Sequence, residues 1–126
     1  MKALIPLLVA AVSCVSVTEQ VYLTVVPPGL VTDKIDLDVR VGIVNDSDER
    51  RDYKISVYLD DVETGTLLHE GRLALDSSSA DYVGFKIPTY GMAGEKKIVA
   101  VVTEGRQKKT VENGFEVMPS DIRSTE

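Results

Sequence analysis

The strongest constraint on the fold is an alternation of apolar and polar residues over positions 35–60. The apolar positions are Ile35, Leu37, Val39, Val41 and Ile43, then Tyr53, Ile55, Val57 and Leu59. A period of two places successive side chains on opposite faces of a sheet, so each run has one apolar and one wet face. Between the runs lies a polar stretch, residues 45–52, rich in charges and turn formers. We therefore expect two antiparallel strands joined by a solvated hairpin tip.

The rest of the domain continues this pattern. We expect seven strands in all, at residues 21–26, 35–44, 53–59, 66–75, 82–87, 98–102 and 108–117. Residues 30–34 read as a connection, Gly65 as a turn residue free to take a positive φ, and the strand 66–75 as kinked or bulged near Gly71. Asn113-Gly114 predicts a bulge or an interruption of the last strand. Regular turn signals without helical periodicity favour an all-β, immunoglobulin-like sandwich with Greek-key connections, spanning residues 20–118. Residues 119–126 read as a linker or the start of a following domain.

The first residues have the pattern of a secretory signal peptide, assigned to residues 1–16. Lys2 precedes an apolar run without charge until Glu19, shorter than the roughly 20 residues that cross a bilayer as a helix. Cys14, the single cysteine, ends a stretch Ala11-Val12-Ser13-Cys14 that resembles a bacterial lipobox. That resemblance implies cleavage before Cys14 and its lipidation. The alternative is conventional cleavage around residues 13–16. Either route places the mature protein outside the cytoplasm, at the cell envelope, in the periplasm or secreted.

Composition narrows the classes of partner. The formal net charge is −6 and the basic residues are scattered, which argues against binding nucleic acid or anionic lipid head groups. We therefore expect membrane contact only through a lipid at Cys14. One cysteine allows no intrachain disulfide.

Two segments resemble a bacterial extracellular module, the cell-adhesion-related domain found in bacteria (CARDB). They are Val39-Arg40-Val41-Gly42-Ile43-Val44-Asn45-Asp46-Ser47 and Ile55-Ser56-Val57-Tyr58-Leu59-Asp60-Asp61, followed by Asp76-Ser77-Ser78-Ser79 and Val83-Gly84-Phe85. The glycines usual after Asn45 and at Asp60-Asp61 are missing. The resemblance implies a spacer or adhesion module without catalytic residues. A leader, a sandwich and a linker in this order also resemble the start of secreted carbohydrate-processing proteins.

The residues with chemical potential are few. His69 is the only histidine, so zinc or nucleophilic sites lack partners and a surface position on a strand is expected. The acidic clusters 46–49 and 60–63 offer oxygen ligands for Ca²⁺, but they lack the EF-hand spacing and are typical of turns. We expect no metal, cofactor or catalytic residue. Tyr82, Tyr90 and Met92 are the candidate ligand patch, the alternative being partial burial against the end of the sandwich.

These observations favour a non-catalytic extracytoplasmic interaction or spacer module whose partner is another protein or a downstream domain, with glycan as an alternative partner. The alternative function is a carbohydrate-binding module that uses the 89–95 loop or a sheet face. A small enzyme or inhibitor has the least support, because no constellation of reactive residues is present.

Overall fold

A computed structural model describes residues 19–119 of the chain. The leader, Cys14 and the polar tail 120–126 lie outside the described residues. The described part contains eight strands: β1 Glu19–Val26, β2 Gly29–Thr32, β3 Asp36–Asn45, β4 Arg51–Leu59, β5 Thr66–Leu75, β6 Ser79–Pro88, β7 Gly94–Glu104 and β8 Gln107–Met118. Within residues 19–119 no helix is long and apolar enough to cross a membrane.

The strands form two sheets that enclose one core. The smaller sheet has the order β1-β3-β6, and the larger has the order β2-β8-β7-β4-β5. All neighbouring strands are antiparallel except β2 and β8, which run parallel. The expected all-β, immunoglobulin-like sandwich is confirmed.

The alternation in β3 and β4 supplies the centre of the core. On β3 the buried side chains are Leu37, Val39, Val41 and Ile43, and on β4 they are Tyr53, Ile55 and Val57, each at most 1% exposed. Ile98, Ala100 and Val102 of β7 and Phe115 and Val117 of β8 complete the layer. The inward face of β3 is the one that the sequence predicted, because its side-chain period of two fixes the face once one residue is buried.

The expected pairing of β3 with β4 is wrong. β3 pairs with β1 and β6 in the smaller sheet, whereas β4 pairs with β5 and β7 in the larger one. The segment 46–50 therefore crosses from one sheet to the other and is not a solvated hairpin tip. Asn45 at the end of β3 is fully buried and Ser47 is 9% exposed, whereas the other residues of the crossover are exposed. Alternation specifies which face of a strand is apolar, but it does not specify the neighbouring strand.

The segment 30–34 is not only a connection, because it contains most of β2. Four residues of β2 pair in parallel with the end of β8, from Gly29 opposite Phe115 to Thr32 opposite Met118. Only Val31 of this strand is buried. A strand with a single buried residue has too little periodicity to be recognised in the sequence. With it, residues 19–119 contain eight strands where seven were expected.

Three local expectations are also corrected. The irregularity in β5 lies at Leu68, since Val57 pairs with His69 and Tyr58 with Leu67. The register between β7 and β8 runs without a shift past Asn113. Gly65 does not have positive φ, and its role is close approach instead. A Cβ at Gly65 would lie 2.1 Å from the Leu59 carbonyl oxygen, so a side chain there would displace the β4–β5 loop.

The register of β3 predicts a contrast between two neighbouring substitutions. Val41→Asp places an unpaired carboxylate in the core, at a cost of several kcal/mol against a total stability of about 5–15 kcal/mol. Arg40→Asp changes an exposed side chain, and its effect should stay within about 1 kcal/mol. Thermal melts of the two variants check the register, and equal tolerance would contradict it.

Candidate functional site

The structure does not bring the expected patch of Tyr82, Tyr90 and Met92 together. Tyr82 lies on β6, whereas Tyr90 and Met92 lie in the loop between β6 and β7. From Tyr82 to Pro88 the strand advances about 20 Å. Tyr90 is 70% exposed, and Met92 is partly buried against the core. The three residues therefore belong to two different regions. The expected patch is wrong because it was inferred from nearness in sequence alone.

Tyr82 instead has an aromatic counterpart across the smaller sheet. Gly42 of β3 is paired with Tyr22 of β1 on one side and with Tyr82 of β6 on the other. All three positions point away from the core, and the two tyrosines are 54% and 52% exposed. Strand spacing puts their backbones about 10 Å apart. We call the trough between Tyr22 and Tyr82, with Gly42 as its floor, the tyrosine groove.

Small residues keep the tyrosine groove open. A Cβ at Gly42 would lie 3.8 Å from the Cβ of Tyr82, so any larger side chain would fill the floor. Val44 and Ala80 extend the lining toward one end. At the other end a Cβ at Gly84 would lie 3.6 Å from Cε2 of Tyr82, so the ring of Tyr82 packs over this second glycine.

Polar groups surround the aromatic walls. The guanidinium of Arg40 lies 5.1 Å from the ring centroid of Tyr82, a cation–π distance. The Tyr22 hydroxyl donates a hydrogen bond to Oε1 of Gln20. At the strand edge, Oδ1 of Asp81 accepts a hydrogen bond of 2.8 Å from the backbone N–H of Tyr82. Aromatic surface is thus bordered by donors and acceptors, as in sites that fix the orientation of a small ligand.

The outer face of the larger sheet has a different character. It carries cross-strand ion pairs, with Lys54 Nζ 3.5 Å from Glu70 and Lys97 Nζ 3.5 Å from Glu112. Such charge ladders keep a sheet face hydrated. The outer face of the smaller sheet also has an ion pair, with Nη2 of Arg40 3.6 Å from Oδ2 of Asp38, but its centre holds Tyr22, Gly42 and Tyr82.

Sequence reasoning missed the tyrosine groove because its residues lie far apart in the chain. Tyr22, Gly42 and Tyr82 each occupy an outward position of an alternating strand. The alternation could have marked the three positions as sharing an outer face. Only the pairing of β1, β3 and β6 places them in one row.

His69 lies between the two sheets and has no metal-site geometry. Its ring stacks on Phe85 with centroids 4.6 Å apart and an interplanar angle of 10°. His69 belongs to β5 and Phe85 to β6, which are edge strands of different sheets. The stack therefore closes one side of the sandwich, and the position is half-buried rather than on the open sheet surface.

The first acidic turn is organised by the amide of Asn45. Nδ2 of Asn45 is within 3.0–3.1 Å of the carbonyl oxygens of Glu49, Leu75 and Asp76. Its Oδ1 accepts hydrogen bonds from the backbone N–H and the hydroxyl of Ser47. This buried network fastens the crossover between the sheets to the β5–β6 turn, so the turn has a structural explanation that requires no ion.

The second acidic turn uses a carboxylate in the same way. Asp61 accepts hydrogen bonds from the backbone N–H groups of Glu63 and Thr64 and from the Thr64 hydroxyl. The bonds from Thr64, followed by that from Glu63, hold the pKa of Asp61 below its ordinary value of 3.8. Asp61 is therefore an acceptor that shapes the β4–β5 loop.

Comparison with solved structures identifies the architecture. The CARDB domain of a Pyrococcus furiosus protein, determined in complex with di-metal ions, superposes with a TM-score of 0.66 at 17% identity, covering 81% of this chain and 94% of that domain. The chain has an immunoglobulin-like fold similar to that of CARDB domains. The fold expected from the resemblance is therefore confirmed. Within residues 19–119 no group of three or more His, Cys, Asp or Glu residues is placed to hold a metal ion.

The same fold occurs inside a larger enzyme. A β-glucosidase from Listeria innocua, solved with gluconolactone, superposes with a TM-score of 0.57 at 19% identity. The match covers 80% of this chain but 16% of the enzyme, and the structure with isofagomine gives 0.58 at 21% identity. The chain thus spans about one sixth of the β-glucosidase. No protein-family model and no curated protein sequence matches the chain.

Proposed function

We propose that the protein is a non-catalytic spacer and interaction module that works outside the cytoplasm at a bacterial cell envelope. The observation that carries this proposal is the placement of the two terminal segments. β1 starts with Glu19 opposite Asn45, at the end of the sandwich that also holds the β7–β8 turn. β8 ends with Met118 opposite Thr32, at the other end.

This placement separates whatever is attached on the two sides. The twelve residues of β8 span about 40 Å at strand geometry. A group joined before Glu19 is therefore held roughly one domain length from a group joined after Met118. The core between them is continuous and buried, which makes the domain a stiff element rather than a flexible tether.

The similarity to a domain of the Listeria enzyme supports this role. In the Listeria enzyme a domain of this fold accompanies a much longer chain, as an accessory module would. The leader expected at residues 1–16 supports an extracytoplasmic location, and Cys14 would provide attachment by lipid. A lipid at Cys14 would leave a short segment before β1, so the domain would stand on its β1 end with its β8 end directed away from the membrane.

Metabolic labelling of the full chain in a bacterial host tests the attachment. The wild-type chain should incorporate labelled palmitate and sediment with membranes, because the thiol of Cys14 would receive the acyl chains. Cys14→Ser should lose the label while the sandwich still folds, since all the described strands come after Cys14. Ser13→Ala is the matched control and should keep the label. Export without label would support conventional cleavage, and retention in the cytoplasm would contradict the proposed location.

A second candidate function is glycan binding, and the tyrosine groove favours it over the 89–95 loop. Sugar rings present C–H faces that pack on aromatic rings, and their hydroxyl edges hydrogen-bond to planar polar groups. The groove offers two aromatic walls with Gln20 and Arg40 beside them. The 89–95 loop offers Tyr90 as its one exposed ring. The chain is acidic overall, so a neutral glycan fits better than an anionic one.

Affinity electrophoresis in gels containing neutral glucan, mannan or xylan tests this second function, with alginate as the anionic control. At least one neutral polysaccharide should retard the protein. Tyr22→Ala and Tyr82→Ala should each weaken the retardation tenfold or more, because each removes one wall. Tyr90→Ala, which removes a more exposed tyrosine outside the groove, should leave the retardation unchanged. Absence of retardation, or loss only in Tyr90→Ala, would contradict binding at the groove.

A further inference from the structure

The parallel pair β2–β8 has a mechanical consequence. β2 is the second strand of the described chain and β8 is the last, and four residue pairs join them, from Gly29 with Phe115 to Thr32 with Met118. We call these four pairs the terminal ladder. In a parallel pair the start of one strand and the end of the other lie at opposite ends of the ladder. Tension that enters β2 at Gly29 and leaves β8 at Met118 therefore pulls the two strands in opposite directions along their own axes.

This direction of pull loads hydrogen bonds in shear. In a parallel ladder the hydrogen bonds are evenly spaced and slant from one strand to the other, so sliding one strand past the other strains all of them together. Pulling the two strands apart from one end would instead break them one after another. Terminal strands that were antiparallel neighbours would have their chain ends on one side and would open in that second way. The terminal ladder is therefore arranged for resistance to extension.

The first strand is loaded in the same sense. β1 enters at the opposite end of the domain and pairs with β3 over its full length, from Glu19 with Asn45 to Val26 with Asp38. Tension along the chain pulls β1 lengthwise against β3, again in shear. No route from the start of β1 to the end of β8 avoids both ladders, because β1 leads directly through Pro27 and Pro28 into β2.

Two further contacts reinforce the connection between the terminal strands. Val31 of β2 and Val117 of β8 are paired neighbours, 6% and 2% exposed, so sliding would expose apolar surface as well as break hydrogen bonds. Nδ2 of Asn113 on β8 donates a hydrogen bond of 3.1 Å to the carbonyl oxygen of Leu23 on β1. This bond joins the smaller sheet directly to the last strand.

We propose that the domain is a tension-bearing element in which the terminal ladder and the β1–β3 ladder resist forces applied along the chain. The proposal rests on the spacer function, and it adds that the spacer holds under load, as a link between a surface anchor and a partner bound to another surface must. The tension-bearing property resides in the fold itself. It can therefore fail while the spacer role stands, because a domain can separate two groups without resisting force.

Single-molecule force spectroscopy on the full chain tests the proposal by changing only the direction of pull. In one geometry handles are attached at the two chain ends. In the other, one handle is moved to Lys34→Cys, just after β2, and the second stays at the C-terminus. Both chains carry Cys14→Ser so that handle attachment is unique. Because Thr32 and Met118 are paired, the second geometry peels the terminal ladder from one end.

The unfolding force should be at least twofold higher for the end-to-end pull than for the Lys34 pull at the same loading rate. Equal forces in the two geometries would overturn the proposal. Forced unfolding reports the barrier rather than equilibrium stability, so the comparison needs no change in the core. The increase in contour length reports whether one folded unit lies between the handles, which is what the spacer role requires.

A pair of variants locates the resistance. Asn113→Ala removes the bond to Leu23 and should lower the end-to-end force while leaving the Lys34 force unchanged. Thr110→Ala, an exposed residue on the same strand, is the matched control and should change neither force. If Asn113→Ala lowered both forces equally, it would act through general stability, and the assigned role of this bond in shear would be wrong.

Discussion

The burial of β3 against β4 is the interaction on which the rest of the structure depends. Leu37, Val39 and Val41 of β3 share one core cluster with Tyr53, Ile55 and Val57 of β4, and all six are excluded from water. Each such side chain contributes about 1.5–3 kcal/mol when fully buried. The crossover that joins the two strands must span this gap without leaving polar groups unpaired. Asn45 meets that requirement by bonding carbonyl groups from two separate turns.

This packing buries the inner faces of both sheets and so limits which surfaces of the domain can bind a ligand or partner. The inward side chains of the two sheets form one buried apolar cluster. A cavity of about 160 Å³ at the end of the sandwich, lined by Val21, Tyr53 and Val102, is smaller than the roughly 300–1,000 Å³ of a typical ligand pocket. Binding is left to the outer faces, the loops and the strand edges. The tyrosine groove lies on the outer face of β3. The inner face of the same strand is packed in the core, and this packing keeps the floor of the groove rigid. The terminal strands are likewise fixed by the same two-sheet frame.

The sequence was sufficient for the faces of strands but not for their neighbours. The alternation around Val41 predicted burial correctly because burial depends on side chains two residues apart. Which sheet β4 joins depends on contacts with β5 and β7, remote in sequence, and so the hairpin of β3 with β4 was wrong. β2 was missed since one buried residue, Val31, gives no period. The acidic turns were recognised as turns because Asp and Asn bond to nearby backbone.

The candidate site shows the same limit more sharply. Tyr82 could be selected from the sequence, but its partner Tyr22 could not, because a cross-strand row exists only once the order β1-β3-β6 is known. Tyr90 and Met92 were grouped with Tyr82 by nearness along the chain, and the strand carries them away from it. The expectations that concern Cys14 and the leader remain predictions, since they lie outside the described residues.

The central claim is that β3 and β4 belong to opposite sheets and present their polar faces in opposite directions. Double electron–electron resonance measures the distance between spin labels at Arg40→Cys and Lys54→Cys, in a chain that also carries Cys14→Ser. Sheets packed about 10 Å apart with both labels pointing outward predict a separation above about 20 Å. Had the two strands paired as a hairpin, the labelled positions would be diagonal neighbours. A distance below about 15 Å would show that pairing and contradict the sandwich described here.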